Sequence, residues 1–192
     1  MRIIAGTLRG RRIPFNNRRF GNARVTSDFV KEAVFGSLGP DLSGNRLLDP
    51  FAGSGQIGLE AVSRGATVWM NDRDRKRAAF IRSLVEEWEV RDQVTLTTED
   101  WGKLFRRLEK SEGSGGFDII YIDPPYDAVT SEDILVSEAC LRALSGGKLL
   151  RPEGRILVQH ARQTLLPDSV GSLVVTRSRR YGDSLLSGYR HQ

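Results

Sequence analysis

The sequence predicts an α/β fold, a central and mostly parallel sheet with helices on both faces. Three observations predict it. From residue 47 onward, short apolar runs of strand length alternate with segments whose apolar residues recur at helical spacing. The run Phe117–Ile122 is almost continuously apolar, as a strand buried on both faces must be. Three runs end at a carboxylate, Asp49, Asp72 or Asp123, and open α/β sheets place their ligands at such strand ends.

Residues 2 to 14 mix apolar pairs with arginine and glycine and are expected to form a small hairpin or extended arm. Residues 15 to 24, rich in Asn, Arg and Gly, are expected to be mobile. Thr26-Ser27-Asp28 offers a helix N-cap, Val30, Ala33, Val34 and Leu38 follow at helical spacing, and Gly39-Pro40 stops the helix. Strand Leu47–Leu48 ends at Asp49, and helix Ile57–Ser63 is closed by Gly65. Then come strand Thr67–Met70, helix Arg75–Trp88, strand Val94–Thr98 and helix Trp101–Leu108. A Gly/Ser loop, Ser111–Gly116, leads into strand Phe117–Ile122 and helix Asp133–Leu144. Arg155–His160, Ser172–Thr176 and Leu185–Tyr189 are the last expected strands, and no internal repeat interrupts the order.

The chain of 192 residues is long enough for one domain with a full core. One cysteine excludes an internal disulfide framework, and with only two histidines no metal centre is expected. No run approaches the roughly 20 apolar residues of a membrane span, and the start does not resemble a signal peptide, so a cytoplasmic protein without membrane partners is expected. The net charge of +5 is unevenly spread: residues 1 to 24 hold seven arginines and no acid, which leaves −2 for the remainder. The expected division is therefore a basic arm, 1–24, on a nearly neutral domain, 25–192. Arg9, Arg11, Arg12, Arg18, Arg19 and Arg24 are candidates for binding a polyanion, because guanidinium forks pair with phosphate oxygens; the alternative is a solvated tail.

Asp49-Pro50-Phe51-Ala52-Gly53-Ser54-Gly55-Gln56-Ile57-Gly58 places three glycines at dinucleotide-turn spacing between a strand and a helix. This is either a tight structural turn or a ligand cradle around Phe51, Gly53, Ser54 and Gly55. Asp49 would repel a pyrophosphate and suits a cationic, phosphate-free ligand such as S-adenosylmethionine, a sulfonium with an ammonium group and an adenosine. Asp72, 19 residues after Gly53, is placed to accept two ribose hydroxyls. Asp74 has the look of a helix cap. Asp100 is a candidate acceptor for the adenine amine, or another cap, and Trp101 a candidate to pack on the ring.

Asp123-Pro124-Pro125-Tyr126 follows the apolar strand directly. Consecutive prolines fix φ and remove two N–H donors. What remains is the Asp123 carboxylate, the Pro124 carbonyl and the Tyr126 ring, which fits a flat heterocycle bearing an NH₂ group. Such an amine is a weak nucleophile because its lone pair is delocalised. Two acceptors out of the ring plane favour a pyramidal nitrogen and aim the lone pair at an electrophilic methyl group, so positioning carries much of the catalysis.

These residues resemble a known family. Asp49–Gly55 with Asp123–Tyr126 is similar to the amino-methyltransferases of the class I (Rossmann-like) fold. The opening Arg2-Ile3-Ile4-Ala5-Gly6, Gly10-Arg11-Arg12, Val25–Asp28 with Lys31–Phe35, Gly58–Ala61 with Ser63–Ala66, and Tyr181-Gly182-Asp183 resemble the RsmD family of bacterial 16S rRNA guanine-N2 methyltransferases. The resemblance implies a seven-stranded sheet with one antiparallel strand formed by a late hairpin. It implies S-adenosylmethionine at Asp49, Gly53, Asp72 and Asp100, flanked by Thr26 and Asp28. It also implies a guanine held by Asp123 to Tyr126, and as partner the 16S rRNA of the 30S subunit or a late assembly intermediate, met by a monomer. The chain departs from the family at Ala23-Arg24-Val25-Thr26-Ser27-Asp28, where Arg-Pro is usual before a Thr-Thr-Asp stretch, and in the loop Asn16–Asn22.

Three rivals stand beside this expectation. Adenine-N6 methylation uses the same Asp-Pro-Pro-Tyr set, although the chain leaves no room for a separate DNA-recognition domain. A nicotinamide-dependent oxidoreductase is opposed by Asp49. A non-catalytic RNA-binding factor would leave both constellations without a purpose. Cys140 and His160 are expected to be structural, Arg177, Arg179 and Arg180 are either an added RNA surface or a solvated loop, and Phe15 and Phe20 are weak candidates for base stacking.

Overall fold

A computed structural model describes residues 1–16, 18–20, 26–111 and 115–192. Arg24, Val25, Asn22 and the middle of the Gly/Ser loop lie outside the described residues. The chain divides into two compact units, Met1–Trp101 and Gly102–Gln192.

The first unit runs α1 (Asp28–Leu38), β1 (Arg46–Asp49), α2 (Gln56–Ser63), β2 (Thr67–Asn71), α3 (Arg75–Glu87), a 3-10 turn at Arg91–Gln93, and β3 (Val94–Thr97). Its strands lie in the order β3-β2-β1, all parallel. Leu47, Leu48, Val68 and Met70 are buried, as strands covered on both faces require. The caps follow the sequence. Ser27 Oγ accepts from the Val30 amide at 3.2 Å, and Asp74 accepts from the Lys76 and Arg77 amides. Gly65, at φ +96°, ends α2 in a conformation that side chains avoid.

The N-terminal segment pairs with itself through an antiparallel bridge, Arg2 to Arg12, and buries Ile3, Leu8 and Ile13. It is fastened to α2. Glu60 accepts the Ile4 amide at 2.8 Å and the Ala5 amide at 3.1 Å, and pairs with Arg64 through two N–H groups at 2.9 and 3.0 Å. The Thr7 amide donates to the Ser63 carbonyl at 2.7 Å. Gly6 makes this approach possible, since at φ +79° a Cβ there would sit 1.7 Å from that same carbonyl oxygen. Buried Lys31 ties in α1, its Nζ donating to the Arg2 carbonyl at 2.5 Å and pairing with Asp28 at 3.1 Å. Phe15 stacks on Phe20 with ring centroids 4.7 Å apart, and both meet Phe80 of α3. Phe20 is thus a buried packing residue rather than a ring offered to bases, and the Arg19 and Phe20 amides donate to the Asn16 carbonyl.

The second unit contains most of α4 (Trp101–Lys110), then β4 (Phe117–Ile122), α5 (Val136–Ser145), β5 (Leu150–Ala161), β6 (Ser169–Val170), β7 (Leu173–Tyr181) and β8 (Ser184–His191). The strand order is β4-β5-β8-β7-β6, with β4 and β5 parallel and every later pair antiparallel. Among the described residues there are eight strands, the seven expected plus the two-residue edge strand β6. Of the expected strands in this unit, β8 alone opposes β4, β5 and β7. Strand β7 outruns its apolar run, because pairing with β8 continues through residues whose side chains face water, and β5 begins earlier, at buried Leu150, which pairs with Phe117 before a register shift. Helix α5 starts at Val136 rather than Asp133, since Asp133 sits at φ +62° in a turn and Leu135 is extended. No helix among the described residues is long and apolar enough to cross a membrane.

The Glu60 cluster gives a direct test of how the N-terminal segment is held. A Glu60→Ala variant leaves buried Arg64 without its partner and two amides without acceptors. It should cost about 3–5 kcal/mol in urea unfolding and open the first dozen or so residues to limited proteolysis. A loss under about 1 kcal/mol would mean the segment is held by its apolar burial and its bonds to Ser63 and Lys31 rather than by Glu60.

Candidate active site

In the first unit the chain turns sharply between β1 and α2. Asp49 ends β1 almost fully buried, and its Oδ1 accepts the Phe51 amide at 3.3 Å. Gly53 and Gly55 then adopt φ of +56° and +77°, the left-handed region that a strand-to-helix turn of this tightness demands. Gly58 serves packing, because a Cβ there would lie 2.3 Å from Met70 Sδ on β2.

Asp72, just beyond β2, closes the turn. Its Oδ2 accepts the Gly53 amide at 2.9 Å, which confirms the proximity that the 19-residue spacing predicts. Three more donors complete the carboxylate: the Asp74 amide and Arg77 Nη2 on Oδ1, and Arg77 Nε on Oδ2, each at 2.9 Å. A carboxylate has about four acceptor positions, so all are engaged. The Gly53 amide, which a dinucleotide pyrophosphate would need, is taken by a carboxylate.

No pattern in the sequence assigns a role to Asn71. It is buried, and its amide joins three segments: Nδ2 donates to the Pro50 carbonyl at 3.1 Å and the Glu99 carbonyl at 3.0 Å, while Oδ1 accepts from the Glu99 amide and Thr97 Oγ1, both at 2.9 Å. Asn71 thereby brings the segment Glu99-Asp100-Trp101 to the glycine turn, with Asp100 exposed and Trp101 half-buried at the start of α4. Gln56 Nε2 donates to the carbonyl of buried Thr26 at 2.6 Å, while Gln56 Oε1 is buried with no hydrogen-bond partner among the described residues. Ser54 is buried with its Oγ 3.7 Å from Met1 Sδ, Phe51 is half-buried, and the Asp28 carboxylate is engaged by Lys31.

In the second unit the Asp123–Tyr126 turn follows β4. Pro124 is buried, Pro125 exposed, and Asp123 and Tyr126 are half-buried. Beneath them lies a polar chain. Tyr121 Oη donates to Gln159 Oε1 at 2.7 Å and stands 3.4 Å from Asp123 Oδ2. Gln159 Nε2 donates to Tyr126 Oη at 3.1 Å, and Tyr126 Oη donates to Ser184 Oγ at 3.0 Å. The Tyr126 ring is therefore pinned at its hydroxyl by β5 and β8. Tyr121, Gln159 and Ser184 were not apparent from the sequence, because they lie up to 58 residues from their partner.

Arg9, Arg11, Arg12, Arg18 and Arg19 are all exposed, and Arg11 lies 5.7 Å over the Trp88 ring. Burial pushes the His160 imidazole below its ordinary value, and its Nε2 meets Ser187 Oγ at 2.8 Å. Cys140 is buried. Among the described residues no group of His, Cys, Asp or Glu could hold a metal ion.

The chain matches the family model described as Conserved hypothetical protein 95 over residues 1–190. It is 36% identical over 183 residues to the putative rRNA methyltransferase YlbH of Bacillus subtilis, covering 95% of this chain and 94% of that one. It is 31% identical over 167 residues to ribosomal RNA small subunit methyltransferase D of Haemophilus influenzae, covering 83% and 78%. A solved structure described as putative methyltransferase yhhF from Escherichia coli superposes with TM-score 0.79 over 100% of this chain and 98% of that one, at 23% identity, which shows a shared fold.

Replacing Gln159 by leucine should cost about 1–3 kcal/mol, since buried Tyr121 loses its acceptor and Tyr126 a donor. The urea midpoint measures it, and a midpoint equal to that of the parent would show that the polar chain is not a structural element.

Proposed function

Because the chain belongs to the family described as Conserved hypothetical protein 95, we propose that it is an rRNA methyltransferase that moves a methyl group from S-adenosylmethionine to the exocyclic N2 amine of a guanine in 16S rRNA of the small subunit. The observation that carries this proposal is the Asp123–Tyr126 turn, a carboxylate beside an aromatic ring whose hydroxyl is pinned by Gln159 and Ser184. It suits a flat base bearing an NH₂ group and little else. The names of the relatives, rRNA methyltransferase and small subunit methyltransferase, agree with an RNA base as substrate.

S-adenosylmethionine supplies an activated methyl group on a sulfonium. Asp49 and Asp72 suit its cationic amino acid portion and its ribose, and a turn amide already bonded to a carboxylate disfavours a phosphate-bearing cofactor. Asp100 and Trp101 are assigned to the adenine, with Thr26, Asp28, Phe51, Ser54 and Gly55 around the ligand. Asp123 and the Pro124 carbonyl accept the two amine hydrogens, and Tyr126 sets the ring plane. With the cofactor bound, Asp123 and the Pro124 carbonyl would hold the amine so that its lone pair faces the sulfonium methyl, and transfer would leave the donor sulfur as a neutral thioether. The methylated nitrogen is then strongly acidic and releases a proton to the Asp123 carboxylate or to water, so no tuned histidine is needed. Arg9, Arg11, Arg12, Arg18, Arg19 and Arg24 contact RNA phosphates.

The test incubates the full chain and methyl-labelled cofactor with 30S subunits, naked 16S rRNA or duplex DNA. Label should appear in rRNA and be recovered as N2-methylguanosine by nucleoside mass spectrometry. Label confined to duplex DNA, or recovered as N6-methyladenosine, overturns the substrate assignment. Asp123→Ala should lower kcat about 10²–10⁴-fold while S-adenosylhomocysteine still binds; retained transfer removes Asp123 from the chemistry.

A separate prediction concerns Arg77. Ribose hydroxyls can reach Asp72 only by displacing donors, and of the four present the Arg77 side chain is freer to move than the backbone amides. Arg77→Met should therefore tighten S-adenosylhomocysteine binding severalfold in calorimetry. Weaker binding would show that Arg77 orients Asp72 for the ligand.

A further inference from the structure

The three strands β5, β8 and β7 share a face that continues from the Asp123–Tyr126 turn to the exposed Arg177 and Arg179. In an antiparallel sheet, residues directly opposite one another point to the same face. The register sets Gln159 opposite Leu186 and Leu186 opposite Arg179. It sets Leu157 opposite Gly188 and Gly188 opposite Arg177, and Ala161 opposite Ser184 and Ser184 opposite Tyr181. Gly188 confirms the assignment, because a Cβ built there meets Leu157 Cδ2 at 3.7 Å. The face that carries Gln159 and Ser184, both bonded to Tyr126 Oη, thus also carries Arg177, Arg179 and Tyr181. With strands about 4.8 Å apart, Tyr181 stands one strand from Ser184 and Arg179 two strands from Gln159. The opposite face is marked by Ser178 and Ser187, bonded at 2.9 Å, and by Arg180 opposite Leu185.

Arg177 and Arg179 are exposed, and neither has an ion-pair or side-chain hydrogen-bond partner among the described residues. Two residues apart on a strand, their side chains rise about 6.8 Å from one another, on the order of the separation of adjacent phosphates in an extended RNA strand. The β6 pairing covers only Leu173 and Val174 of β7, so the outer edge from Thr176 to Tyr181 lies beside no other strand among the described residues. Arg180 differs in kind, since its Nε donates to the Gly182 carbonyl at 2.9 Å.

We propose that the Arg177–Arg179–Tyr181 face of the β7–β8 hairpin is a track for the RNA backbone flanking the target base. It rests on the assignment of Asp123–Tyr126 as the base-amine site and extends it. The two guanidinium groups take successive phosphates, Tyr181 stacks a neighbouring base, and the target nucleotide leaves the track into the turn at Tyr126. Arginine suits the task, because its charge persists at any working pH and its fork matches a phosphate edge. The face excludes an apolar protein partner, because its exposed groups are charged.

The experiment compares the parent with Arg177→Gln/Arg179→Gln and with Arg180→Gln, using methyl transfer to 30S subunits and binding of a labelled single-stranded RNA 12-mer across a salt series. Each lost phosphate contact in a single strand should lower the slope of log affinity against log salt by about 0.7. The double variant should therefore lose about 1.4 in slope and show a roughly tenfold higher KM for 30S subunits, with kcat at saturation and S-adenosylhomocysteine affinity unchanged. Arg180→Gln should leave slope and KM near those of the parent. Unchanged slope and KM in the double variant, or an equal effect from Arg180→Gln, overturns the track. If the parent transfers methyl to no RNA, the base-amine assignment fails instead. A lower kcat with an unchanged salt slope would show that the arginines only support the packing beneath Tyr126.

Discussion

The hydrogen bond from the Gly53 amide to the Asp72 carboxylate fixes the architecture of the first unit's strand ends. It joins the turn after β1 to the residue after β2, and it does so with a negative group where a phosphate-binding turn would leave an open amide. Asn71 continues the fastening toward the end of β3 with both edges of its amide used. A turn held in this way has little freedom to rearrange around an anion. Its electrostatics suit a cationic ligand, and its rigidity means that the ordering cost of binding is met during folding.

The fastening extends to the N-terminal segment, where Arg2, Arg9, Arg11 and Arg12 are all exposed. Glu60 and Lys31 are wholly buried, and each compensates the backbone or charge of the segment lying over it. Burying a carboxylate and an ammonium is costly, so their effect is less to add stability than to specify one placement of the segment. The result is a set of guanidinium groups displayed from a fixed base. In the proposed contact with RNA, a mobile tail would pay an ordering entropy that a docked segment does not.

Much of this was legible in the sequence, and what was not has a physical cause. Apolar runs and caps act over a few residues, so β4, the Ser27 and Asp74 caps and the Gly65 stop could be read directly. The glycine turn and Asp72 were legible because their spacing is set by one strand and one helix. Helix α5 was misplaced by three residues because Asp133 carries helix-compatible chemistry at a left-handed backbone angle that only the surrounding turn imposes. The extended end of β7 was hidden because hairpin pairing with β8 needs no apolar pattern on a solvated face. The partners of Tyr126 were invisible for another reason: Gln159 and Ser184 are ordinary polar residues whose meaning arises from strand register.

That last class of residue is where fold and chemistry meet. A tyrosine placed after two prolines has a fixed backbone but a ring still free to turn about χ1 and χ2. Two hydrogen bonds at its hydroxyl remove that freedom, and both come from strands whose register is enforced by buried neighbours such as Val158, Leu173 and Tyr189. The same Gln159 that holds Tyr126 accepts from Tyr121, whose hydroxyl stands beside the Asp123 carboxylate. Acceptor and ring are thus oriented by one buried amide, so their relative geometry is a property of the sheet and not of the turn that carries them. For the proposed amine methylation, whose catalysis would lie in aiming a lone pair, this coupling is what the turn alone cannot provide.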